Sequence, residues 1–139
     1  MILVDAGPII ALADRDDPLR PDVRRILYGE TGPALIPAPV TAEIDYMLQR
    51  RFGPDASTIF LADLADGNYQ VECLLQHEFA QILALSRRYA ALAPGLADLS
   101  LVALAARFDT TRILTFDERH FRAIEPLQGG AFTLLPFDA

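Results

Sequence analysis

Residues 1–12 read MILVDAGPIIAL. The apolar run Ile2–Val4 stops at a carboxylate, Asp5, and apolar residues resume after Gly7. The run is too short for a helix and reads as a buried strand. Gly7 and Pro8 then turn the chain into a short helix over 8–13, with Pro8 as its first residue, where a missing N–H costs nothing. A buried strand passing into a helix through a charged seam sets the pattern for the whole chain. Strands that alternate with helices in this way form a parallel sheet covered on both faces.

The alternation continues to the end. A helix opens at Asp17-Pro18, runs to about Tyr28 and stops at Gly29 and Gly32. ALIP (34–37) is a second strand. Helices follow over 40–51, closed by Gly53-Pro54, and over 55–65, stopped by Asp66-Gly67. NYQVECL (68–74) alternates as a third strand. A long helix covers 76–91 up to Pro94-Gly95, and another covers 97–108. RILTF (112–116) is a fourth strand, a short helix spans 118–123, and AFTLLP (131–136) is a fifth strand. No repeat or linker divides the 139 residues, so one domain, 1–139, is expected.

Hydrophobic residues make up 52% of the chain, yet no run approaches the ~20 apolar residues of a membrane span. No basic segment precedes the first apolar stretch, so it is not a signal peptide. The single cysteine, Cys73, excludes an internal disulfide; its VECLL context reads as a buried, inert thiol and fits a cytoplasmic protein. A net charge of −7 argues against a protein that coats nucleic acid. It leaves room for an enzyme that grips nucleic acid locally through metal ions and a few arginines, and for a basic protein partner. All 12 basic residues are arginine.

Four acids do not fit a solvated surface. In an open parallel sheet, ligands sit beyond the carboxyl ends of the strands, where strand order reverses. Asp5 ends the first strand and Asp117 ends the fourth. Either alone reads as a turn or cap residue; two on separate apolar strands point to a site. In VTAEIDYMLQRRF, Val40, Ile44, Met47 and Leu48 mark the buried stripe, and Glu43 shares their face. Asp45 is turned away and reads as a solvated charge. In LADLSLVALAARF, Asp98 lies in line with Leu101 on the first turn, where the helix dipole also favours an acid. Carboxylates on apolar faces cost several kcal/mol unless something compensates. No lysine is available; a divalent cation is. Four carboxylates make a hard, oxygen-only site suited to Mg²⁺ or Mn²⁺. The two histidines are isolated, which argues against a zinc centre. His77 reads as exposed, and His120, three residues after Asp117, is a candidate for a nearby polar role.

Other chemistries with strand-end acids fail on composition. Receiver domains and haloacid-dehalogenase-type phosphatases need a lysine, and the latter need an aspartate where Gly7 stands. No GK[ST] or GxSxG motif occurs. Metal-assisted phosphodiester hydrolysis remains, since it needs acids, water and little else.

The segments VDAGPIIAL, TAEIDYMLQRRFGP, GLADLSLVALAARF and RILTFDERHF together resemble the PIN-domain ribonuclease family. They resemble in particular its VapC-type toxins of bacterial toxin–antitoxin pairs, over essentially the whole chain. The resemblance implies an α/β/α sandwich with a five-stranded parallel sheet of order 3-2-1-4-5. It implies that Asp5 and Asp98 are the principal Mg²⁺ (or Mn²⁺) ligands. It implies that Glu43 and Asp117 complete the catalytic quartet, in the first or the second shell of that ion or around a second one. It also implies hydrolysis of RNA, a homodimer, and silencing by an antitoxin whose tail enters the active-site groove. Glu118 departs from the family's usual basic-aromatic continuation.

Around the acids, Thr115 and Ser100 are candidates to hydrogen-bond a ligand water or a carboxylate; an ordinary strand threonine and helix serine are the plainer alternative. Arg119 and Thr115 are candidate substrate contacts, with Arg50-Arg51 and Arg24-Arg25 as alternatives. Phe121 and Phe52 read as core. Tyr46 and the helices over 18–65 are a candidate dimer or antitoxin surface. Two readings compete with the toxin: a housekeeping PIN nuclease of RNA processing, and a catalytically idle binding module.

Overall fold

The computed structural model describes residues 1–139. Strand β1 (Ile2–Val4) is wholly buried and runs parallel to β2 (Ala34–Pro37) on one side and β4 (Arg112–Leu114) on the other. Leu3 lies opposite both Leu35 and Ile113. The edges are β3 (Gln70–Glu72) and β5 (Thr133–Leu135), and every pairing is parallel, giving the order 3-2-1-4-5. A central strand flanked by parallel neighbours is covered on both faces, which is why ILV, LIP and IL read as unbroken apolar runs rather than alternating ones. A cluster of 28 buried hydrophobic residues joins the sheet to its seven flanking α-helices, the α/β/α arrangement expected.

The helices are α1 (Ala6–Ala13), α2 (Arg20–Gly29), α3 (Ala38–Phe52), α4 (Pro54–Ala65), α5 (Gln76–Arg88), α6 (Leu96–Arg107) and α7 (Glu118–Ala123). A 3₁₀ turn, Ala90–Leu92, replaces the expected last turn of α5. Only one residue, Gly53, separates α3 from α4, and its φ of +88° is the left-handed geometry that lets two helices meet so abruptly. None of the helices is long and apolar enough to cross a membrane.

Besides a shorter β4 and β5 and a later start for α2, three local expectations change. First, α1 starts at Ala6, two residues earlier than Pro8, because the Asp5 side chain caps it. Pro8 still falls in the first turn, where it is tolerated. Gly7 allows a close approach: a Cβ there would sit 3.2 Å from the Phe116 ring, which would have to give by a few tenths of an ångström. Second, β3 is three residues, not seven, and it is an edge. Cys73 follows it into solvent and is exposed, because only one side of an edge strand is covered. Third, Phe52 is 37% exposed, with the Arg51 guanidinium 5.1 Å above its ring, whereas Phe121 is buried against Phe132 as expected.

Candidate active site

The carboxyl edge of the sheet gathers the four acids from four elements. Asp5, at the end of β1, is 9% exposed. Its Oδ1 accepts from the Ala6 N–H at 2.8 Å, and its Oδ2 accepts from the Thr115 hydroxyl at 2.7 Å. Thr115 directly follows β4, is fully buried, and accepts in turn from the Asp117 N–H at 3.0 Å. One hydroxyl thus ties the β1 acid to the loop that carries the β4 acid. The Thr115 hydroxyl is buried and donates to Asp5 while accepting from Asp117, so it fixes the orientation of the Asp5 carboxylate.

Asp98 occupies the first turn of α6, where Oδ2 accepts from the Gly95 N–H at 3.2 Å. Asp117 caps α7: Oδ1 accepts from the His120 N–H at 2.9 Å. Glu43 departs from its expected place in the buried stripe. Val40, Ile44 and Leu48 carry that stripe, and Glu43 stands exposed beside it at the rim of the cleft. Asp45 departs the other way: it is half-buried and accepts from the buried Ser57 hydroxyl. The acid read as solvated is thus a structural tie between α3 and α4.

The electrostatics of the cleft run in one direction. Burial pushes the Asp5 carboxyl up, with help from the charges of Asp98 and Asp117, against the bonds from Thr115 and Ala6. Glu43 is raised by desolvation and by the charges of Asp5 and Asp98. Asp98 is raised by burial and by Asp117. No arginine pairs with any of the four. The only basic group among them is His120. Its Nδ1 lies 2.6 Å from Asp117 Oδ2 and 3.4 Å from Asp98 Oδ2, and its Nε2 lies 3.3 Å from the Leu92 carbonyl. Burial acts to lower the pKa of this ring; the Asp117 bond and the two carboxylate charges outweigh it and raise it. Ligating atoms of Asp98, Asp117 and His120 all lie within 4.8 Å of one another.

The donor set fits a divalent cation. It is rich in hard carboxylate oxygen, buried and crowded enough that three of its carboxyls are pushed up, and free of competing guanidinium. Reading from the sequence alone undervalued His120. The signal was present in Asp117-x-x-His120, an i,i+3 pair on a helical turn; its contact with Asp98 is not visible from spacing.

The remaining candidates sort by their partners. Ser100 is fully buried and bonds the Ala97 carbonyl at 2.6 Å, an ordinary helix serine. Arg119 is exposed and makes no ion pair. Arg25 pairs with Asp22, Arg50 bonds the Tyr46 hydroxyl, and Arg24 stacks on Tyr28. The largest concavity, about 390 Å³, lies apart from the acids, between α1, α2 and α4. Leu12, Tyr28, Ile59 and Phe60 make it apolar, and Arg15, Arg20 and Arg24 line it alongside.

Comparison with known proteins agrees with this architecture. The chain is 32% identical over 135 residues to Ribonuclease VapC26 of Mycobacterium tuberculosis, covering 97% of this chain and 100% of that protein. Its fold matches the sarcin–ricin loop cleaving toxin VapC20 of the same organism with a TM-score of 0.79 at 17% identity, over 91% and 98% of the two chains. A toxin–antitoxin complex from Klebsiella pneumoniae matches at 0.67 with 16% identity, over 89% and 92%. FitAcB from Neisseria gonorrhoeae matches at 0.65 with 18% identity, over 96% and 97%. No family model matches the chain.

Proposed function

The chain belongs to the VapC family of ribonucleases, and on that premise we propose that it is an Mg²⁺-dependent endoribonuclease toxin, a single domain over 1–139, held silent by a cognate antitoxin. One observation carries the reading. Four carboxylates from β1, α3, α6 and the β4–α7 loop converge with no arginine among their partners, and burial together with neighbouring negative charge pushes three of them, Asp5, Glu43 and Asp98, upwards. Asp5 and Asp98 hold the cation in this reading, with Glu43 and Asp117 completing the shell; Mn²⁺ suits the same donors. The cation, when bound, supplies water activation near neutral pH and neutralises charge that develops on the phosphoryl oxygens. The chain's own groups do the rest. Thr115 and the Ala6 N–H fix both oxygens of Asp5. Glu43, at the solvent-facing rim, is placed to take a proton from an incoming water. Arg119, exposed two residues beyond Asp117 and free of ion pairs, meets a phosphate of the RNA.

Homodimer formation and a cytoplasmic location belong to the same reading.

Labelled RNA incubated with the purified protein and Mg²⁺ tests it. Cleavage is expected, and EDTA or Asp98→Asn should reduce it by more than ~100-fold, beyond the usual effect of an outer-shell change. Cleavage that survives both rules out the metal mechanism. Growth arrest on expression alone, relieved by the neighbouring reading frame, separates a toxin from a housekeeping nuclease or an idle binding module.

A further inference from the structure

His120 is the one basic side chain inside the acid cleft, and all its polar contacts lead to groups that shape the cleft. Its main-chain N–H and its ring Nδ1 take the two oxygens of Asp117, at 2.9 and 2.6 Å. The same Nδ1 lies 3.4 Å from Asp98 Oδ2. The far side of the ring, Nε2, faces the Leu92 carbonyl at 3.3 Å. Leu92 closes the 3₁₀ turn; Ala93 follows in the left-handed region at φ +52°, and Gly95 caps the helix that carries Asp98. The ring therefore spans from α7 to the segment that delivers α6. Asp117 and Asp98 are 19 residues apart in the chain, and His120 is the side chain that touches both.

We propose that His120 is a positioning residue for the metal site. Through Asp117 and the Leu92 carbonyl it holds the α6 and α7 carboxylates at a spacing from which both reach one cation. This rests on the metal-dependent reading above. The ring orients ligands and does not ligate: Nδ1 is committed to Asp117, and Nε2 is directed to a main-chain acceptor on the opposite side. Outer partners of this kind set ligand orientation and tune metal affinity.

The test is Mn²⁺ titration calorimetry on the full chain, comparing wild type with His120→Ala, His120→Asn and His120→Gln, each checked for folding by circular dichroism. The Asn amide nitrogen falls near the position of Nδ1 and keeps the bond to Asp117. The Gln amide falls near Nε2 and keeps only the Leu92 contact. Ala should weaken Mn²⁺ binding ~10–100-fold, Asn should recover most of the loss, and Gln should not. Pulsed EPR of bound Mn²⁺ should show no directly coordinated imidazole nitrogen. Wild type that binds Mn²⁺ while Ala binds within about twofold overturns the positioning role alone, because an outer-shell orienter must move affinity by ~10-fold or more. So does a directly bonded nitrogen in the EPR signal, or a folded Asn variant no better than Gln. Wild type that binds no Mn²⁺ overturns the metal reading itself, and the inference with it.

Discussion

The two ends of the sheet treat buried carboxylates in opposite ways. At the amino end, Glu30 sits between the starts of three strands with its side chain 6% exposed. It accepts from Arg112 Nη1 at 2.5 Å, from the Met1 amino group at 3.1 Å and from the Gly32 N–H at 3.1 Å. The approach is so close that a Cβ on residue 32 would lie 2.5 Å from the Met1 nitrogen, which requires glycine there. Burial alone would raise the Glu30 pKa, but Arg112 and the other donors hold it down to about 2. At the carboxyl end, Asp5, Glu43 and Asp98 are raised, because burial meets like charge and only His120 answers it. One end uses a carboxylate to lock strands together. The other keeps carboxylates short of cations, a local destabilisation of the kind found where a protein binds a ligand.

Single substitutions at the two ends should therefore differ in kind. Asp5→Asn should have the largest effect, lowering RNA cleavage by more than ~100-fold in a cleavage assay. The same variant, melted without metal, should be at least as stable as wild type, since it removes a buried like charge and Asn still caps α1. A metal-free melt that drops sharply would show that Asp5 is primarily structural. Glu30→Gln should act in reverse: cleavage per folded molecule stays at the wild-type level, and stability in urea falls by about 1–2 kcal/mol, below the ~1.5–3 kcal/mol of a fully shielded hydrogen bond to a charged group. Arg112 is 42% exposed, so water screens part of that loss.

The smallest effect, and the one that reads both ends at once, is the pH profile of metal-free stability. Glu30 has a folded pKa below its unfolded value, so its contribution is present above about 4.5 and is lost as pH falls towards about 2. Asp5, Glu43 and Asp98 have folded pKa values above their unfolded ones. The native state then binds more protons than the unfolded state, and stability falls as pH rises through that window. Urea midpoints should therefore peak in mildly acidic buffer and decline towards neutrality. Saturating Mg²⁺ should flatten the neutral side by stabilising the native state, by ~2.7 kcal/mol at one hundred times its dissociation constant. A midpoint that rises monotonically from pH 4 to 8 without metal would break the contrast between the two ends.

The order of elements was legible because each apolar run has the length and periodicity of its element. ILV and ALIP are too short to be helices, and the stripe through Val40, Ile44 and Leu48 repeats every four residues. Asp5 was legible because a charge directly after an apolar strand falls at the sheet's edge wherever that strand lies; Asp117 was legible by the same pattern, although β4 ends at Leu114 and the chain reaches Asp117 through Thr115 and Phe116. Exposure was less legible. Cys73 and Phe52 lie in apolar contexts but on an edge strand and at a helix end, where nothing covers them. Asp45 looked solvated until α4 supplied Ser57.

Local pattern therefore determined the order of strands and helices and marked Asp5, Asp98 and Asp117, because hydrophobic periodicity and strand ends depend only on neighbours along the chain; Glu43, placed by the same periodicity in the buried stripe, stands exposed beside it. Only the tertiary structure decided which groups answer those acids. Thr115 meets Asp5 across 110 residues, Glu30 meets Arg112 across 82, and His120 meets the Leu92 carbonyl across 28. Hydrogen bonds and charge interactions act over a few ångströms of space. Whether a buried carboxylate becomes a lock or a ligand depends on what folding brings beside it.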